Sequence, residues 1–203
     1  MKNTKKALLF VVFVSLSSLL NAQAFDDGKN VVSLGFGFPA RTSIRTYYDD
    51  IYHNDKFYNN KYTNYGTGVL KFEHGFHKYF GMGLNVEYSR SSAVYKYDFT
   101  SALQYQLKVK SSRAGFFARF NGHLPIGESL DLYGGVGLGY TYRFDKAEDT
   151  NPSSTTLSQK TSVFDFDYQL TVGARYMIKE SFCLFFEVGR ATTVAQFGVA
   201  LAF

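Results

Sequence analysis

An all-β chain that folds, once a signal peptide is cleaved, into an eight-stranded antiparallel up-and-down transmembrane β-barrel is predicted by three features of the sequence. Large apolar residues alternate with small or polar ones from end to end, while no stretch beyond residue 24 keeps helical i, i+3, i+4, i+7 spacing. Short and long connections alternate along the chain, as in barrels with tight turns at one rim and longer loops at the other. The composition agrees, since 21 Phe, 16 Tyr and 18 Gly against 3 Pro suit strands rather than disorder or collagen.

The chain opens with Lys2, Lys5 and Lys6, an apolar run from Ala7 to Leu20, and the small-residue pattern Ala22-Gln23-Ala24. These are the three parts of a secretory signal peptide. As a helix the apolar run would rise only about 21 Å, short of a hydrocarbon core of about 30 Å, so a leader is preferred over an anchor. Cleavage after Ala24 divides the chain into 1–24 and a barrel domain, 25–203. Phe25, not a Cys, immediately follows that point, so lipid attachment there is not expected. Cys183 stands alone and is expected only to pack, which excludes a disulfide framework or a Cys-rich zinc site. The net charge of +5 includes the three leader lysines, and the remainder is no nucleic-acid signature.

The strands follow in order. At 31–38, Val32, Leu34, Phe36 and Phe38 oppose Ser33, Gly35 and Gly37, and weaker alternation marks 65–76, 80–89, 113–124 and 182–190. At 130–145, Leu132, Val136, Leu138, Tyr140 and Tyr142 oppose Asp131, Gly135, Gly137, Gly139 and Arg143. The clearest case is 163–178, where Phe164, Phe166, Tyr168, Leu170 and Val172 oppose Asp165, Asp167, Gln169, Thr171 and Arg175. The last strand carries Phe197, Val199, Leu201 and Phe203 on one face. Residues 105–112 alternate in the opposite phase, with Tyr105, Leu107 and Val109 against Lys108 and Lys110; a β-bulge near Ser111-Ser112, or a strand leaving the membrane there, would account for it. Short connections are expected at 75–79, 125–129 and 179–181, longer ones at 39–62, around 90–104 and at 146–160, and a short one near 191–194.

A soluble barrel would turn the apolar face inward around a ligand. Eight strands enclose an interior only wide enough for side chains to fill, so the bulky face fits outside and the face rich in Gly, Ala, Ser and Asp fits inside. Exposing Arg119 or Arg175 to lipid would cost roughly 2–4 kcal/mol each near the midplane.

With its signal peptide, hairpin alternation over 30–203 and the ending Gly198-Val199-Ala200-Leu201-Ala202-Phe203, the chain resembles the small outer-membrane β-barrel proteins, similar in layout to outer-membrane proteins A, X and W. The resemblance implies a monomer in a bacterial outer membrane with both termini periplasmic. It implies contact with lipid and lipopolysaccharide, and it makes Phe203 the assembly signal read by the barrel assembly machinery. It implies a fold and an address rather than an activity.

The minority face places Lys71, Arg113, Arg119, Arg143 and Arg175 in the lumen with Glu73, Glu87, Asp131, Asp165, Asp167 and Glu187. Two layers are expected, Glu73, Arg119, Arg175 and Glu187 near the tight turns and Arg113, Arg143, Asp165 and Asp167 near the loops. Buried charges persist when paired, so a salt-bridged filling is preferred, with a narrow solute channel as the alternative. Lipid A-modifying enzymes share this architecture, but His53, His74, His77 and His123 show no triad spacing, so no catalytic residue is assigned and the chain is read as non-catalytic. No cofactor is expected: the glycines of 134–139 sit in a strand with no following helix to hold phosphate. Neither the Asp49, Asp50, His53, Asp55 cluster nor His74 with His77 has metal-loop spacing. The first long loop carries Tyr47, Tyr48, Tyr52, Tyr58 and Tyr62 among Asn and Lys, adaptable contact residues suited to an unknown surface partner, or an extension of the interfacial aromatic girdle. Arg90 and Arg190 end their strands, placed either to meet lipopolysaccharide phosphates or to snorkel.

Overall fold

The alternation becomes a closed ring. The computed structural model describes residues 25–39, 57–100, 103–150, 158–179 and 181–203. It contains β1 (Asn30–Pro39), β2 (Phe57–His77), β3 (Phe80–Thr100), β4 (Leu103–Ile126), β5 (Leu130–Asp149), β6 (Ser158–Lys179), β7 (Phe182–Arg190) and β8 (Thr193–Ala202). Each strand pairs antiparallel with the next, and β1 pairs with β8 to close the barrel, Leu34 facing Val199 and Phe36 facing Phe197. No helix among the described residues is long and apolar enough to cross a membrane.

Which face looks out is decided by exposure: Leu138 is 60% exposed and Phe166 62%, whereas Arg119 is 5% exposed and Glu187 fully buried. The apolar face is the outside. Burying the charges and leaving the aromatics uncovered suits lipid as the outer solvent.

The strands are of two lengths. β1, β7 and β8 have 10, 9 and 10 residues, enough for one tilted span. β2 to β6 have 21, 21, 24, 20 and 22 and continue past the ring at the loop end as a five-stranded sheet. Sequence reading placed part of this extension in loops. The connection expected around 90–104 is strand up to Thr100, and β4 resumes at Leu103; Tyr58 and Tyr62 lie on β2, and β5 continues to Asp149.

No bulge interrupts β4 at Ser111-Ser112. Its pairing with β3 and with β5 runs through these residues without a shift, Ser111 facing Ser91 and Asp145, Ser112 facing Arg90 and Phe144. The phase reversal is one of chemistry: odd positions point inward throughout β4, but beyond the apolar belt the inward residues turn greasy and the outward ones charged. Ala93, Tyr95, Leu107, Val109 and Ala147 are buried inside the extension, while Lys108 is exposed and Lys110, Lys146 and Glu148 half-exposed on its outside. A real irregularity lies in β2, where the register shifts between Asn64 and Thr67. Gly66 turns there with φ +80, and its N–H donates to Asn64 Oδ1 at 2.9 Å.

Candidate functional site

The densest chemistry lies inside the ring at the end of the short turns. Alternation brings Lys71 and Glu73 of β2, Asn85 and Glu87 of β3, Arg119, Asn121 and His123 of β4, Asp131 of β5, Gln169 and Arg175 of β6, Glu187 of β7 and Gln196 of β8 to the inner wall, all buried. Arg119 donates to Glu187 at 2.9 Å through Nη1 and 3.3 Å through Nη2, and to Thr171 Oγ1 at 2.8 Å. Lys71 Nζ reaches the other side of Glu187 at 2.8 Å, and Gln196 donates to its Oε1 at 2.5 Å. One carboxylate thus holds two cations. A step nearer the turns, Arg175 Nη2 donates to Glu73 Oε2 at 2.8 Å, and Asn121 donates to Glu73 Oε1 at 2.6 Å. An amide layer spans the bore beside them, Asn85 donating to Glu87 and Gln169, and Gln169 donating to Glu87 at 2.8 Å.

His123 joins this layer, although the absence of triad spacing left it without a role in the sequence. Its Nδ1 lies 2.9 Å from Asp131 Oδ2 and its Nε2 2.8 Å from Glu73 Oε1. A carboxylate only accepts, so satisfying both contacts takes an N–H on each ring nitrogen or a proton on one carboxyl. The three groups come from β4, β5 and β2, so no within-strand spacing could show them. Phe25 stacks on the imidazole at 3.6 Å between centroids.

Small residues make room for these groups. A Cβ on Gly135 would stand 2.3 Å from Arg119 Nη2, and one on Gly137 3.2 Å from Gln169 Oε1. Inward aromatics seat the same way: the Phe185 ring fills the space beside Gly35 and Gly198, and Tyr133 that beside Gly173. Lys71 Nζ lies 4.8 Å over the Phe185 ring and the Arg175 guanidinium 5.2 Å over Tyr133.

The layer toward the loops is more open. Arg113 pairs with Asp167 at 2.7 Å, with side chains 26% and 22% exposed, and Arg143 pairs with Asp145 at 3.2 Å. Asp165, expected to pair in this layer, faces inward opposite Thr141 yet is exposed. With Arg113, Arg143, Ser91, Ser111 and Thr141 it lines a cavity of about 100 Å³.

The remaining expectations fall on the surface. Tyr62 is exposed on β2, its hydroxyl 3.3 Å from that of Tyr95; Tyr47, Tyr48, Tyr52, His53 and the acidic cluster of 49–55 lie outside the described residues, as does the side chain of Tyr58. Arg190 lies over the Tyr168 ring, 4.0 Å from its centroid, and donates to the Tyr168 hydroxyl; Arg90 is exposed. His74 is exposed and meets Asn30 at 2.9 Å. Phe203 pairs with Asn30 in both directions, at 2.7 and 2.9 Å, beside the β1–β8 seam. Cys183 is buried against Met177.

Among solved structures, the chain is similar to Ail, the attachment invasion locus protein of Yersinia pestis, in complex with the heparin analogue sucrose octasulfate, at 14% identity over 87% of this chain and 99% of that one, TM-score 0.50. It is also similar to the outer membrane protein OprG from Pseudomonas aeruginosa, at 12% identity over 90% and 99% of the two chains, TM-score 0.49. No sequence among the curated proteins matches significantly. The family model described as outer membrane protein beta-barrel domain matches residues 9–199. A closed ring of eight antiparallel strands, greasy outside and charged within, has the form that this match requires, and the chain belongs to the outer membrane protein β-barrel family.

Proposed function

We propose that residues 25–203 form a non-catalytic outer-membrane barrel whose lumen is closed by side chains and whose structural or surface-interaction role is exercised at the loop end. Both termini face the periplasm. One observation carries the closed lumen: side chains from opposite walls meet within hydrogen-bond distance. Glu73 of β2 reaches Arg175 of β6, four strands away around the ring, at 2.8 Å, and Arg119 of β4 reaches Glu187 of β7 at 2.9 Å. An eight-stranded bore bridged at these levels has no continuous water path. The long strands favour action outside, since β2 to β6 carry a sheet well beyond the lipid-facing belt.

Phe203, paired with Asn30 at the seam, is the group we assign to recognition by the barrel assembly machinery, and the lipid-facing belt and outer arginines are the contacts we assign to lipid and lipopolysaccharide.

Planar-bilayer conductance tests the closed lumen. The purified barrel, its fold verified by the mobility difference between heated and unheated gel samples, is expected to give no discrete current steps. Reproducible steps would establish the narrow channel instead, with Arg119, Arg175 and Glu187 lining it. Deleting 49–56, which spares β2, is expected to abolish adhesion to surfaces while leaving the heat-dependent shift intact; unchanged adhesion refutes the loop role.

A further inference from the structure

We propose that Phe25 is a stopper, seated in the periplasmic mouth so that it seals the His123, Glu73 and Asp131 cluster from periplasmic water. The inference rests on the reading above that 1–24 are cleaved, which makes Phe25 the first residue of the mature chain.

Phe25 precedes β1 and belongs to no strand, yet it is fully buried. An apolar side chain next to a chain terminus is ordinarily solvated or frayed. This one has a built seat. Its ring is stacked on that of His123, 3.6 Å between centroids with planes 8° apart, while the two imidazole nitrogens meet the carboxylates. Gly75 and Gly81, inward positions of β2 and β3, leave the space it fills: a Cβ on either would stand 3.1 Å from Phe25 Cζ. The backbone behind it is tied down, with Gly28 N–H donating to Gly75 O and Gly75 N–H donating to Lys29 O, each at 2.8 Å. Gly28 takes φ +78 to turn the segment inward. The groups facing His123 are Glu73 of β2, Asp131 and Tyr133 of β5, and Phe25 itself, with Arg175 of β6 bonded to both carboxylates.

A ring stacked over a hydrogen-bonded imidazole excludes the water that would exchange its N–H protons. The polar cluster therefore needs a lid on its open side, and the stopper is the group placed to supply it.

The test uses protein purified from outer membranes, labelled with ¹⁵N-histidine and held in detergent micelles. Intact mass gives the first residue. Exchange of the imidazole N–H protons with water is then read by NMR, with exposed His74 and His77 as internal references. Slow exchange at His123 and fast exchange at the references are expected, with Phe25→Ala speeding His123 by about tenfold or more, as loss of a local closed state does, and Phe25→Leu retaining most protection. Wild-type His123 exchanging as fast as His74 overturns the seal, whether or not Phe25→Ala folds. So does a folded Phe25→Ala barrel with unchanged exchange. A mature chain that starts elsewhere than Phe25 overturns the processing half, and the exchange rates still decide the seal.

Discussion

Glu187 is the group on which the lumen network turns, and its replacement gives the sharpest energetic test. Its carboxylate is fully buried and accepts from Arg119, Lys71 and Gln196. Glu187→Leu keeps comparable volume but strips the counter-charge from two buried cations at once. Removing one partner of a buried pair costs about 3–5 kcal/mol, and two orphaned cations place this variant at the top of that range. Arg119→Leu is different. Glu187 keeps Lys71 at 2.8 Å and Gln196 at 2.5 Å, so the loss is that of charged hydrogen bonds, about 1.5–3 kcal/mol. Replacing Lys71, Arg119 and Glu187 together by Met, Leu and Leu leaves no orphaned charge, with the neutral Gln196 amide and Thr171 hydroxyl left without these partners, and buried ion clusters exchanged for apolar residues come out near neutral or better.

The ordering is therefore Glu187→Leu worst, Arg119→Leu intermediate and the triple variant closest to wild type. Urea titration in phospholipid vesicles measures it, with the folded fraction read as the heat-modifiable gel band. Equal costs for Glu187→Leu and Arg119→Leu would refute the reasoning, because they would mean that water, rather than Lys71 and Arg119, compensates the charges. So would a Glu187→Leu cost under about 1 kcal/mol, the size of a solvent-exposed pair.

Arg113→Gln, which breaks a pair with both side chains about a quarter exposed, is expected to cost no more than about 1 kcal/mol in the same titration; a cost matching Arg119→Leu would show the upper layer to be as dry as the lower. Gly66→Ala puts a side chain on a left-handed residue, at about 1–2 kcal/mol, and drives its Cβ into the Phe36 ring; a lowered urea midpoint is expected, and an unchanged one would mean the β2 irregularity is not rigid. Glu148 lies beyond the apolar belt, and hydrogen bonds from Lys146 and Lys110 hold its carboxyl below the ordinary glutamate value. A carboxyl depressed in the folded state adds stability that is present above its unfolded value and lost as pH falls through its folded one, so its ¹³C shift should titrate at lower pH in the folded protein than in urea. Coincident titrations would remove the triad.

Where lipid wets the outside, the sequence is easy to read, because every second residue must be bulky and apolar; the outward positions of β6 from Phe164 to Val172 are the clearest instance. Beyond the belt that constraint ends. Leu107 and Val109 turn inward while Lys108 and Lys110 meet water, which is the reversed phase read at 105–112, and the parts of the extension at 57–62, 90–100 and 146–149 were expected as loops. The charges of the lumen were assignable to the inner wall by parity alone, but their partners were not. Glu73 and Arg175 are 102 residues apart, and His123 lies between carboxylates from two other strands. Parity fixes a face, whereas partnership needs register and ring closure. Phe25 lies outside any alternation, so nothing in the local pattern marked it.

Those long separations also bear on how the barrel closes. Lys71 and Glu187 are 116 residues apart and Arg119 and Glu187 are 68, so neither pair exists until β2, β4 and β7 share one ring. Until then each buried charge is either solvated in an open sheet or desolvated without a partner, which costs several kcal/mol. A half-closed barrel is thus penalised, and closure is cooperative. The β1–β8 seam is the place to test this, since it lies at the lumen without contributing a charge. A Cβ on Gly198 would meet Leu34 O at 2.2 Å and Gly35 Cα at 2.5 Å, backbone atoms that cannot swing aside, so Gly198→Val forces the seam apart and costs at least about 1–3 kcal/mol. With cooperative closure, this variant loses the heat-stable band and the slow exchange of buried β4 and β5 amides together, at one urea concentration. Were the β4–β5 amides to keep their protection while the band disappeared, the network would hold without the ring, and closure would be a separate, later event.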